Sequence, residues 1–303
     1  MSSVFIAYNN KKLTTPVINK IGSNLCFYQV ETNKSDFKDY ERLLSYKQFG
    51  KIQIIFKNQE SPKFKFFNDS RYLIAICGFI QNEIEILKIY QKDDVFKCLI
   101  DNYRNGEKKM MDFFSFLVGQ FTVFIYDNET ENILLANDKL GLYSMYYSEN
   151  NDKFVCSTRA EAVSSVPGID MDLNYDAIAD YLSLGIVQNR ETFIKNINNL
   201  PEASILNKKN NRVGKIIKYF EFKYHDSAYS EDVYLPLINE KLKQSVTKLY
   251  NIPSDSKNVC LTGGFDTRLL NSVLLKSGER QAVTFTRPIL EKENEMNTVA
   301  FKN

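Results

Sequence analysis

The chain has 303 residues, more than one ordinary domain, and 44% of them are apolar, so two domains, or one and part of another, are expected. Lys+Arg 39 against Asp+Glu 37 leaves a net charge of +2 with no segment that concentrates basic residues, which argues against a nucleic-acid partner. Five dispersed cysteines without a C-x-x-C pair, a single histidine (His225), no basic leader before the first apolar run and no stretch of about 18 apolar residues exclude zinc, disulfide and membrane classes and give a cytoplasmic reading.

Short runs dense in β-branched and aromatic residues, broken by Asn, Asp, Gly and Lys, predict strands at 3–9, 24–30, 51–56, 71–80, 119–127, 132–138, 144–148 and 153–158. Helical patterns interrupt them. DDVFKCLIDNYRNG (93–106) puts Val95, Cys98, Leu99 and Tyr103 on one face, with acids at its start and Gly106 as its stop, and EKKMMDFFSFLVG (107–119) follows. A third helix is predicted at 174–185, ahead of a polar hairpin around NKKNNRVGK. Sheets with helices between them predict a layered α+β domain.

After Tyr219 the pattern changes. Residues 231–250 read as a long amphipathic helix with Leu235, Ile238, Leu242, Val246 and Leu249 on one face and Pro236 in the first turn. A strand NVCLTG, a Gly-Gly turn, a helix at 266–278, a strand at 281–287 and a helix from near Glu293 continue as β-loop-α-β-α, the order of a parallel sheet. Two strands leave that sheet unfinished.

In VCLTGGFDTRLL (259–270) the strand runs through Gly263 and Gly264 into the helix. Backbone N–H groups then gather at the positive end of a helix dipole, where an anion is favoured, and Thr262 and Thr267 add hydroxyl donors. Asp266 alone would repel phosphate; it fits if Mg²⁺ bridges its carboxylate and the phosphate oxygens. The same residues also serve a plain helix start capped by Asp266 or Thr267, and spacing does not choose between the two. The lysine and spacing of a P-loop and the G-x-G-x-x-G pattern are absent.

LTGGFDTRLL resembles the S-G-G-x-D-S pyrophosphate-binding loop of the asparagine synthetase family, with Thr262 and Thr267 at the serine positions. AVTFTRPILEKENEMNTVAFKN resembles the strand and helix that complete that family's adenosine pocket. Further back, GQFTVFIYDNETENILLANDKLGLYSMYYSENNDKFVCSTRAEAV is similar to the family's G-D-F, A-R-D-x-x-G-x-x-P-L-Y-Y and F-x-S-E pattern, and LSLGIVQNRETFIKNINNLPEA to its connection ending L-P-P-G. The resemblance implies a class II glutamine amidotransferase-like domain at 1–222 with an αββα, Ntn-hydrolase-like sandwich. At 223–303 it implies the incomplete start of an α/β parallel-sheet ATP-pyrophosphatase domain of the PP-loop, adenine-nucleotide α-hydrolase-like type.

ATP and Mg²⁺ are the implied cofactors. Leu261, Thr262, Gly263, Gly264, Asp266 and Thr267 would line the nucleotide, and Asp266 would hold Mg²⁺ through phosphate. The implied reaction adenylates a small carboxylate or a peptide before an amine attacks, and the chain is expected to be either a truncated product or one completed by a second polypeptide.

The chain departs from this pattern in its first half. Position two, where the family has a nucleophilic cysteine with its own α-amine as base, is Ser2, a far weaker nucleophile than a partly ionised thiol. The family's Asn-Gly-Glu, which holds glutamine and the oxyanion, falls on Cys77-Gly78-Phe79. A-R-D reads Ala136-Asn137-Asp138, and P-L-Y-Y reads Ser144-Met145-Tyr146-Tyr147. Asp94 matches the aspartate that anchors the substrate amine and equally fits a helix cap. Cys77, flanked by apolar residues, reads as a core thiol, Asp138 and Gly141 as shapers of a hairpin, and His225 as a linker residue. The expectation is an ATP-dependent amide-bond-forming ligase with a degenerate glutaminase half. The alternatives are a non-catalytic nucleotide-binding scaffold and a glutamine-hydrolysing asparagine synthase.

Overall fold

The computed structural model describes residues 4–8, 13–26, 44–57, 64–149, 153–209, 214–224, 230–250, 258–262, 264–275 and 281–283. Two compact units divide the chain, Met1–Phe222 and Lys223–Asn303.

The first unit holds two antiparallel sheets. β1 (Val4–Tyr8), β2 (Leu44–Phe49), β3 (Ile52–Lys57), β8 (Tyr146–Glu149), β9 (Phe154–Ser157) and β10 (Asn198–Asn199) pair in the order β10-β8-β9-β1-β3-β2. β4 (Phe64–Asn68), β5 (Tyr72–Ile80), β6 (Gly119–Asp127), β7 (Asn132–Asn137), β11 (Ser204–Lys208) and β12 (Lys215–Lys218) pair in the order β12-β11-β7-β6-β5-β4.

Side-chain alternation decides the layers, because successive residues of a strand face opposite sides. Tyr72, Ile74 and Ile76 of β5, with Phe121, Val123 and Ile125 of β6, share a core with α2 (Glu83–Tyr90), α3 (Val95–Arg104) and α4 (Glu107–Phe116) through Ile86, Leu99 and Phe113. Leu73, Ala75 and Cys77 point the other way and meet Val4, Ile6, Ile52 and Ile54 of the first sheet. On that sheet's far face Phe5, Ala7 and Ile55 pack on Ile21 and Leu25 of α1 (Thr15–Cys26) and on Ala162 and Val163 of α5 (Ala160–Ser164). The stack is therefore helix, sheet, sheet, helix. Both faces of the inner strands are buried, which explains continuous apolar runs such as YLIAIC. Gln53 is a buried polar residue in β3, and its Oε1 accepts from the Leu13 N–H (2.8 Å) and the Tyr46 hydroxyl (2.9 Å).

The structure corrects the strand expected at 24–30: residues 24–26 close α1, and 27–30 lie outside the described residues. Pro16 sits in the first turn, where its missing N–H leaves no bond unmade, and Ile18, Ile21 and Leu25 follow at helical spacing. β2, β4, α2 and α5 were not expected from the sequence. The two strands lie at sheet edges and carry Lys47 and Lys65 among their aromatic residues, which breaks the apolar run that marks a buried strand. The helix expected to reach 119 ends at Phe116, and Gly119 opens β6, while the helix expected at 174–185 is α6 (Tyr175–Leu184) with Asn174 as its N-cap.

In the second unit α7 (Glu231–Tyr250) packs on α8 (Phe265–Leu275), and β13 (Asn258–Cys260) pairs in parallel with β14 (Gln281–Val283), Val259 opposite Ala282. Pro236 falls in the second turn of α7 rather than the first, so it removes the bond to the Asp232 carbonyl. Along the expected apolar face Val246 is buried, whereas Leu235, Ile238 and Leu249 are exposed. Residues 284–287 and the helix expected from near Glu293 lie outside the described residues, as does His225. Among the described residues no helix is long and apolar enough to cross a membrane.

Candidate functional site

Where β5 ends against the start of β6, Gly78 has φ +94, and an added Cβ would stand 2.0 Å from the Gln120 carbonyl oxygen. Only glycine fits there. Its neighbours face different surroundings. Cys77 is 1% exposed between the two sheets, and burial drives its thiol far above the ordinary value, so no thiolate forms near neutral pH. Phe79, opposite Gln120, stands where the resemblance expects a carboxylate. An inert thiol and a phenyl ring thus flank the one retained glycine.

Asp94 is the N-cap of α3, in extended conformation, and its Oδ1 accepts from the Phe96 N–H at 2.7 Å. Ser2 lies outside the described residues. Close to it, Val4 is fixed by its N–H to Thr158 Oγ1 (3.2 Å) and by its carbonyl, which accepts from Ser157 Oγ (2.7 Å).

Asp138 is 1% exposed and accepts four backbone N–H groups, from Phe121 (3.2 Å), Leu140 (3.0 Å), Leu142 (3.1 Å) and Tyr143 (3.1 Å). Asn137 beside it donates to the Leu200 carbonyl (3.0 Å) and accepts from the Ser204 N–H (3.0 Å), while its own carbonyl accepts from the Tyr219 hydroxyl (2.6 Å). Burial, then the Asp138 charge, pushes that phenol upward, which keeps it a donor. This set of bonds shapes the hairpin and ties it to the end of the unit. Sequence reading singled out Asp138 but missed Tyr219 and the part played by Asn137; the proline-containing NLPEA stretch was the available signal.

In the second unit the turn after β13 is held by its own hydroxyls. Thr267 Oγ1 accepts from the Thr262 N–H (3.1 Å) and lies 3.0 Å from Thr262 Oγ1, which in turn accepts from the Gly264 N–H (3.2 Å). Asn271, also missed from the sequence, donates to the Cys260 carbonyl (3.0 Å) and the Thr267 carbonyl (2.8 Å), locking strand to helix. Leu261 is half-buried at the strand end, Asp266 is exposed in the first turn of α8, and Gly263 lies outside the described residues. A Cβ on Gly264 would meet nothing nearer than Thr262 Oγ1 at 3.4 Å, so space over the turn is open. Hydroxyls, helix-start N–H groups and one carboxylate beside open space fit a phosphate with Mg²⁺.

The family model of the glutamine amidotransferase domain matches residues 62–220, just over half of the chain. The chain belongs to the glutamine amidotransferase domain family. The match takes in the whole second sheet, Gly78, Asp94 and the Asn137-Asp138-Tyr219 set, and precedes the turn at 262–267. Asparagine synthetase [glutamine-hydrolyzing] 1 of Bacillus subtilis is 21% identical over 216 residues, 68% of this chain and 33% of that protein. The chain thus spans about a third of the length of that relative. Among solved structures, a glutamine phosphoribosylpyrophosphate amidotransferase from B. subtilis complexed with ADP and GMP aligns over 96% of this chain and 68% of that one, at 9% identity and a TM-score of 0.41. A structure titled the allosteric regulatory enzyme of purine biosynthesis aligns over 97% and 69%, at 10% identity and 0.41. At those scores the likeness carries no argument, and the layering stands on the three cores of this chain.

Proposed function

We propose that this amidotransferase-family chain serves an asparagine-synthetase-like ligase that activates a carboxylate with ATP and joins it to an amine, and that its own glutaminase chemistry is lost. The observation that carries the reading is the Thr262–Thr267 hydroxyl pair, which shapes an open turn at a helix start between two parallel strands. In that reading the Gly264 N–H, the Thr262 and Thr267 hydroxyls and the first turn of α8 hold the pyrophosphate portion of ATP. Asp266 would hold Mg²⁺, which when bound supplies the charge that offsets the phosphate oxygens.

ATP, when bound, would supply an α-phosphorus that activates a substrate carboxylate with loss of pyrophosphate, so that an amine could replace AMP on the acyl carbon and give up a proton; the part of this chain's turn at 262–267 would be to hold the departing pyrophosphate. The buried Cys77 and the ring of Phe79 support an amine other than glutamine-derived ammonia. Calorimetry with pyrophosphate and Mg²⁺ tests the turn. Weak Mg²⁺-dependent binding is expected, lost in Asp266→Asn and in Gly264→Val; binding that survives both substitutions overturns the nucleotide reading. Glutamate release from glutamine is expected to be absent, and turnover that disappears in Ser2→Ala would restore Ser2 as nucleophile.

A further inference from the structure

We draw no further inference here: the strongest candidate, the exposed apolar face that Tyr175, Tyr181, Leu182 and Leu184 of α6 present together with Ile186, carries nothing because nothing in the structure shows what covers it.

Discussion

Asp138 and Asp94 are both aspartates that accept backbone N–H groups, yet they differ in what their loss would expose. Four donors converge on the buried Asp138, and an amide there would turn its own N–H₂ toward some of them. Asp138→Asn is expected to lower unfolding free energy by about 2–4 kcal/mol in urea titrations, because buried donors are left unmet. Asp94→Asn keeps a good cap and is expected to stay within about 0.5 kcal/mol. Asp127 gives the pH dependence. Burial alone would raise its carboxyl, but hydrogen bonds from Arg71, Thr130 and the Glu129 N–H hold it below the ordinary value. A folded-state value below the unfolded one contributes stability that is full above the ordinary carboxylate range and is lost as pH falls through the lower, folded value. Asp127→Asn is therefore expected to flatten the decline of the urea midpoint below about pH 4, and an unchanged decline would refute it. The inertness of Cys77 was legible in its apolar flanks. The hydroxyl of Tyr219 was not, because it bonds a carbonyl 82 residues away and no local pattern records such a partner.

At the scale of elements, legibility followed how evenly an element is buried. β5, β6 and β7 are covered on both faces over most of their length, so their sequences are apolar runs between polar turns, broken inside β6 only by the buried Thr122. β2 and β4 lie on edges, where one side of the backbone ladder has no neighbour among the described residues and lysine is favoured, and the run breaks up. α1 was hidden for a different reason: NLC at its end joins the apolar residues that follow, and their density masks the three-and-four spacing of Ile18, Ile21 and Leu25. Its packing gives a test. Ile21 is 0% exposed against Phe5 and Ile55, so Ile21→Ala is expected to cost about 2–5 kcal/mol. Leu235 on α7 is 56% exposed, and Leu235→Ala is expected to change stability by less than about 0.5 kcal/mol. Equal losses at the two positions would mean that the apolar pattern of 231–250, legible in the sequence, is covered after all.

For the whole molecule, every described residue of the three hydrophobic cores falls between Val4 and Phe220, and these cores hold the four layers of the first unit together. Tyr219 ties the end of the unit to its core, packing on Phe114 and donating to the Asn137 carbonyl, three residues before the first unit ends. Among the described residues the second unit contributes a two-stranded parallel sheet, fewer strands than such sheets need for independent stability. A fragment of residues 1–222 is therefore expected to unfold in one cooperative urea transition, with its midpoint within experimental error of the main transition of the whole chain. A fragment of residues 223–303 is expected to show no cooperative transition. Both are read by circular dichroism, with near-ultraviolet signal reporting packing around the aromatic-rich cores. If the first fragment melts without cooperativity, the cores are not self-sufficient and residues beyond 222 must stabilise them. If the second folds cooperatively, residues 223–303 are self-sufficient, and the turn at 262–267 can be studied there by itself.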